Sequence, residues 1–98
     1  MPVRDDPEVV GRLQRALEAF QKAQGLLLTA HRRVKGRSAV EAEQFWMAQG
    51  NRIEQHLHAT AVEVVASFRA FSAAGLVASA DDRHLVNEAQ RHLAESGR

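Results

Sequence analysis

Apolar side chains recur in alternating steps of three and four along two long stretches of this chain, which a short segment containing glycine and serine separates. The first series has two polar interruptions and runs Val10, Leu13, Leu17, Phe20, Gln24, Leu27, His31, Val34. This spacing aligns the series along one face of an α-helix, as in a coiled-coil seam. The first stretch, from Pro7 to Val34, therefore predicts a helix about 42 Å long.

The segment between the two stretches contains the residues expected to reverse the chain. Gly36 can adopt the left-handed conformation that ends a helix. Ser38 and Glu41 have the spacing of a capping box, in which the serine accepts from the glutamate N–H and the glutamate side chain reaches back. We interpret Gly36, Ser38 and Glu41 as the hinge of an antiparallel helical hairpin, because so short a connection makes the two helices neighbours.

The second stretch predicts another long helix, followed by a shorter one. Gly75 is expected to end the long helix, with Leu76 folding back as the apolar contact of its cap. Ser79, with Asp81 and Asp82 in the turn that follows, marks the start of the third helix. The predicted fold is a single all-α domain over residues 1–98, with helices at about 7–34, 39–74 and 80–95. Asp6 before Pro7 is the predicted cap of the first helix.

Composition agrees with an all-α fold and suggests a thin core. Hydrophobic residues make up 45% of the chain, aromatic residues only 5%, and tyrosine is absent. Aliphatic residues and alanine must therefore fill the core, which favours helix. Because two long helices and one short helix bury little surface, we predict a homo- or heterodimer in which two hairpins form a four-helix bundle. A monomer with the third helix folded back along the second is the competing structure.

The predicted partner interface is the apolar face of the second helix. Trp46 follows Phe45, and Gly50 one turn later would let a neighbouring helix approach closely. Tryptophan next to phenylalanine is more often part of a core, but a partly exposed tryptophan would be a strong interface anchor. The residues of this predicted interface are Phe45, Trp46, Gly50, Ile53, Leu57, Val64, Phe68 and Phe71.

Motifs for catalysis or cofactor binding are not found in the sequence. It contains no glycine-rich phosphate loop, no HExxH and no GxSxG. Without cysteine it has no disulfides and no thiolate zinc site. His84 and Glu88 have a spacing that could bind zinc, but such pairs are common on solvated helices. We expect a protein that is not an enzyme and that uses no metal, cofactor or small-molecule substrate.

Positive charge is concentrated at the bend, although the chain as a whole carries a net charge of only +1. The basic patch consists of Arg32, Arg33, Lys35 and Arg37. The simpler interpretation is that these residues complement the dipole of the first helix and keep the bend soluble. The alternative is contact with an anionic surface. Since no aromatic residue is interleaved with the four charges, we expect nucleic-acid binding to be unlikely.

The predicted location follows from two features of the sequence. No run of 18 apolar residues is present, so no membrane span is predicted. The first residues lack the basic start and apolar core of a signal peptide. We expect a cytoplasmic protein, or one secreted together with a partner and without a cleaved signal peptide.

The order Val34-Lys35-Gly36, then Ser38-Ala39, then Phe45-Trp46 resembles the WXG family, small helical hairpins exported by type VII secretion systems. The resemblance covers residues 7–75. In the family a Trp-x-Gly motif forms the bend and a Tyr-x-x-x-Asp/Glu signal lies in the tail. Here Val34 replaces the bend tryptophan, and the chain has no tyrosine.

The resemblance implies heterodimerisation with a secreted helical partner, with this chain as a targeting or chaperone-like subunit. The alternative is a cytoplasmic binding module, of phage or plasmid type. Such a module would contact a host protein or nucleic acid through the basic patch or through the face that carries Trp46.

Overall fold

The computed structural model describes residues 7–96 and confirms the all-α prediction. Helix α1 spans Pro7–Val34, α2 spans Ala39–Phe45, α3 spans Asn51–Ala73 and α4 spans Ala80–Ser96. Trp46–Gly50 between α2 and α3 is π-helical, and we call it the π segment. Residues 7–96 contain no strand. The helix bounds lie close to the predicted ones, and the predicted Asp6 cap lies outside the described residues.

The predicted second helix is not one regular α-helix. The chain stays helical from Ala39 to Ala73, but the π segment interrupts the α-helical hydrogen bonding. A π segment of one turn amounts to a single extra residue inserted into an α-helix. Trp46, Gly50 and Ile53 are still spaced by four and three, so the apolar pattern gave no sign of this insertion.

The bend has the predicted glycine conformation and a modified capping box. Gly36 has a φ of 86°. Ser38 Oγ accepts from the Glu41 N–H at 3.2 Å, and the Ser38 hydroxyl donates to Glu41 Oε1 at 3.2 Å. Arg37 Nε donates to the Arg33 carbonyl at 3.0 Å, and its terminal nitrogen lies 3.7 Å from Glu41 Oε2. The Arg37 side chain therefore connects the end of α1 to the start of α2.

The second reversal ends α3 with a glycine cap and starts α4 with a serine cap. Gly75 has a φ of 81°, and the Leu76 N–H donates to the Phe71 carbonyl at 3.3 Å. Leu76 packs against the core, as expected for this type of cap. Ser79 Oγ then accepts from the Asp82 N–H at 3.2 Å. These two caps turn α4 back towards the other helices.

Helix α4 packs against both α1 and α3, so the chain builds a three-helix core by itself. Its buried apolar residues come from α1, α3 and α4: Leu13, Ala16, Leu17, Phe20, Ala23, Leu57, Ala61, Val64, Phe71, Val86 and Ala89. The last helix folds back along α3 of its own chain. The molecule is elongated, with extents of 61 × 24 × 20 Å.

Polar side chains inside and beside this core have hydrogen-bond partners. The buried hydroxyls of Thr60 and Ser67 donate to carbonyls one turn earlier in α3, at 2.8 and 3.1 Å. Gln24, a polar residue in the α1 seam, donates to Glu88 of α4 at 2.6 Å. A hydrogen bond to a facing side chain explains how a glutamine is tolerated in an otherwise apolar seam.

An ion pair also joins α1 to α3. Arg12 donates to both carboxylate oxygens of Glu63, at 2.8 and 3.0 Å. This hydrogen-bonded arginine holds the pKa of Glu63 below its usual range, and the carboxylate in turn raises the pKa of Arg12. Both side chains remain nearly half exposed, so solvent screens the pair.

Candidate protein-binding site at the bend

The end of the molecule that contains the bend is covered less completely than the rest. Among the described residues, α4 contacts α1 and α3 but neither α2 nor the π segment. None of the residues Ala39–Phe45 is buried. The third helix that completes the core elsewhere is therefore missing along α2 and the π segment.

Exposed apolar side chains are concentrated at this end. Six large apolar side chains in the described chain are exposed, and four of them lie between residues 26 and 47: Leu26, Leu28, Val40 and Met47. Leu28 is 59% exposed and Met47 is 78% exposed. Leu26 and Leu28 are two residues apart on α1 and therefore face different sides of the helix, so this end of the molecule exposes apolar surface in more than one direction.

A groove of about 160 Å³ opens between α1 and the start of the second long helix. Leu26, Phe45 and Ile53 contribute its large apolar side chains. The buried Ala30 and the exposed side chains of Thr29, Arg33 and Gln49 complete the lining. We call this the bend groove. Its lining combines apolar side chains with one cationic group.

Trp46 lies beside this end of the molecule in a small aromatic cluster. Its ring centroid is 5.0 Å from that of His31 and 5.5 Å from that of Phe45, with the Phe45 ring nearly perpendicular. A Cβ atom added to Gly50 would lie 2.7 Å from Trp46 Cε3. The space that the sequence suggested for another helix is therefore occupied by the Trp46 indole itself, which corrects that interpretation of Gly50.

The structure divides the predicted interface residues into two groups. Gly50, Leu57, Val64 and Phe71 are buried within the chain itself, the last three in its core. Phe45, Trp46, Ile53 and Phe68 are half-buried. A partner can reach the second group but not the first, since the chain's own residues cover the long apolar face of α3.

Sequence reasoning missed the most exposed apolar residues at the bend. Leu28, Val40 and Met47 were not among the predicted interface residues, because the search followed the apolar stripe. The sequence signal for these residues was an apolar side chain outside the stripe. Leu26 and Leu28 flank a stripe residue, and an apolar residue away from the buried stripe must face either a partner or solvent.

The basic patch is exposed at the same end. Arg32, Arg33, Lys35 and Arg37 all have exposed side chains. Arg37 is engaged with the Arg33 carbonyl and lies close to Glu41, whereas the Arg33 side chain lines the bend groove. The positive charge adjoining the groove therefore comes mainly from Arg33.

The histidines of α4 make contacts with neighbouring side chains. His84 Nε2 lies 2.7 Å from Glu88 Oε1, while the other oxygen of Glu88 accepts from Gln24. The His92 ring is 6.0 Å from that of His58. No group of three metal-binding side chains within the described residues is arranged to hold an ion. The Glu88 carboxylate instead connects α4 to α1.

Comparison with known proteins identifies no relative of this chain. No protein-family model, no curated protein and no solved structure matches the chain. Within residues 7–96, none of the helices is long and apolar enough to cross a membrane.

Proposed function

We propose that this protein is a non-enzymatic helical interaction protein that pairs with another helical protein through its bend end. The observation that supports this most strongly is the exposure of Leu26, Leu28, Val40 and Met47 where α4 makes no contact with α2 or the π segment. A partner that covers one side of this end would remove part of this apolar surface from water, which contributes favourably to binding.

Site-specific photo-crosslinking tests this function. A photoreactive phenylalanine replaces Leu26 in one variant and Val77 in a control variant, since both positions are exposed but Leu26 lies in α1 near the bend and Val77 in the α3–α4 connection. We expect a discrete cross-linked product at position 26 only, whose purified partner forms a complex with this chain in sedimentation velocity. A second copy of the chain as the product would make the pair a homodimer. Equal products at both positions would overturn the proposal.

The resemblance to WXG proteins supports one form of this function. We propose that the partner is a secreted helical protein and that this chain acts as its targeting or chaperone subunit. Co-expression with the cross-linked partner, with and without this chain, tests the idea through the amount of partner exported by a type VII secretion system. Export that does not depend on this chain would rule out that role.

The exposed basic patch supports a second candidate function, contact with nucleic acid. Such binding would depend strongly on salt, because Arg32, Arg33 and Lys35 would release counterions from phosphates. Fluorescence anisotropy with a labelled duplex or single strand tests it at physiological salt. Binding that is lost when both Arg32 and Lys35 are replaced by glutamate would favour this function over protein pairing.

A further inference from the structure

We propose that the bend groove binds one amphipathic helix of a partner protein, which inserts a large apolar side chain and places a carboxylate about one turn away against Arg33. This inference rests on the proposed function and specifies the partner's chemistry at that site. It follows from the size of the groove, its charge and the helices that form it.

The size of the groove fits a protein side chain better than a small-molecule ligand. Ligand pockets usually enclose about 300–1,000 Å³, whereas this groove has a volume of about 160 Å³. Leu26 and Ala30 of α1 and Phe45 and Ile53 of the second long helix supply its apolar lining. One leucine, methionine or phenylalanine side chain would lose contact with water there.

The charge at the groove selects an acidic partner. Arg33 lines the groove, and a guanidinium can hold a carboxylate through two parallel hydrogen bonds. Four basic and two acidic side chains lie between residues 31 and 45, a local balance of +2. Two copies of this chain meeting groove to groove would bring like charges together, which disfavours that arrangement.

The walls of the groove favour a helical partner. They belong to α1 and to the run from α2 into α3, two helices of the same hairpin. Along α3 the hairpin is completed by α4, but α2 and the π segment make no contact with α4 among the described residues. A helix laid in the groove would contact both helices of the hairpin at once, with anchors spaced by three or four residues.

Two labelled peptide probes and purified full-length protein test this inference by fluorescence anisotropy. One probe is a helical peptide with leucines on one face and glutamates one turn away, and the other has lysine at each glutamate position. We expect the acidic probe to bind more tightly by about tenfold or more, the effect of one well-placed charge pair. Equal affinity for the two probes would overturn the charge assignment.

Four variants locate the binding site. R33E and Q49W change exposed residues that line the groove, whereas R32E and Q44W make the same changes at exposed residues outside its lining. We expect R33E and Q49W to lower the affinity for the acidic probe by about tenfold, and the two control variants to change it much less. R33E should also improve binding of the lysine probe. Equal effects of R33E and R32E, or of Q49W and Q44W, would overturn the location.

The two proposals can fail separately. If position 26 captures a helical partner whose affinity is unchanged by R33E and Q49W, the protein pairs with helices but does not use the bend groove. Homodimerisation, read by sedimentation equilibrium and abolished by Q49W, would also contradict the acidic helix as occupant. Failure of the cross-linking experiment together with failure of the acidic probe would remove both proposals.

Discussion

At the scale of single residues, glycines of the same chain have unrelated roles. Gly36 and Gly75 occupy left-handed conformations after α1 and α3 and were predicted from their positions after the apolar stripes. Gly50 is needed for a different reason, because the Trp46 ring lies where its Cβ would be. The spacing places Trp46 one turn before Gly50, but it does not show the rotamer that turns the indole over Gly50. Gly25 has open space around it.

The contrast between Gly50 and Gly25 gives a matched pair of substitutions. G50A should destabilise the protein by about 1–3 kcal/mol, since the Trp46 indole must move. G25A should stabilise it by about 0.5–1 kcal/mol, because alanine restricts the unfolded chain and favours the helix. Thermal unfolding measures both, and the emission of the only tryptophan reports the indole environment. Stability changes of the same sign would contradict the roles assigned here.

At the scale of helices, the two serine caps have similar geometry but different surroundings. Ser38 and Ser79 each accept a backbone N–H at 3.2 Å. Helix α2 buries no residue, whereas α4 buries Val86 and Ala89 in the core. Both helix starts were predictable because capping depends on a few neighbouring residues. The π segment was not, because a single inserted residue leaves a spacing that still fits a helix.

This difference predicts unequal effects of removing the two caps. S79A should lower the global free energy of unfolding by about 1 kcal/mol, because α4 belongs to the cooperative core. S38A should lower the local stability of α2 by a similar amount, and this loss should appear mainly as faster amide exchange in α2. Chemical denaturation and hydrogen exchange distinguish the two. A global loss from S38A as large as that from S79A would mean that α2 unfolds together with the core.

At the scale of the whole molecule, the position of α4 decides which apolar surface is inside. The sequence predicted the helix, but not whether it would pack on this chain or another. Gln24 carried part of the answer, since its partner Glu88 lies on α4. Such a pairing between distant positions cannot be read from local spacing. With α4 in place, Leu57, Val64 and Phe71 become internal, and the bend end is left open.

The ion pair between Arg12 of α1 and Glu63 of α3 predicts a pH dependence of stability. Arg12 lowers the pKa of Glu63 in the folded state. The stability that the pair contributes is therefore present above the pKa of Glu63 in the unfolded state and is lost as pH falls through its pKa in the folded state. Wild-type stability should therefore fall below about pH 4.3, and E63Q should show a shallower decline there. Urea unfolding at several pH values measures this. E18Q, the control, changes the net charge equally at an exposed residue of α1, so the same shallower decline in E18Q would exclude the Arg12 pair as the cause.

The π segment also makes this chain unusually tolerant of a change in length at one place. Removing one residue from an ordinary helix rotates everything beyond it by about 100°, but removing Ala48 should restore regular α-helix and leave Phe45 and Leu57 facing as before. Deleting Ala59 instead should turn the core residues of α3 towards solvent. Circular dichroism during heating should show a cooperative transition for the first deletion and its loss for the second. Loss of one residue around positions 46–50 is therefore compatible with an unchanged three-helix core, whereas an insertion there is not.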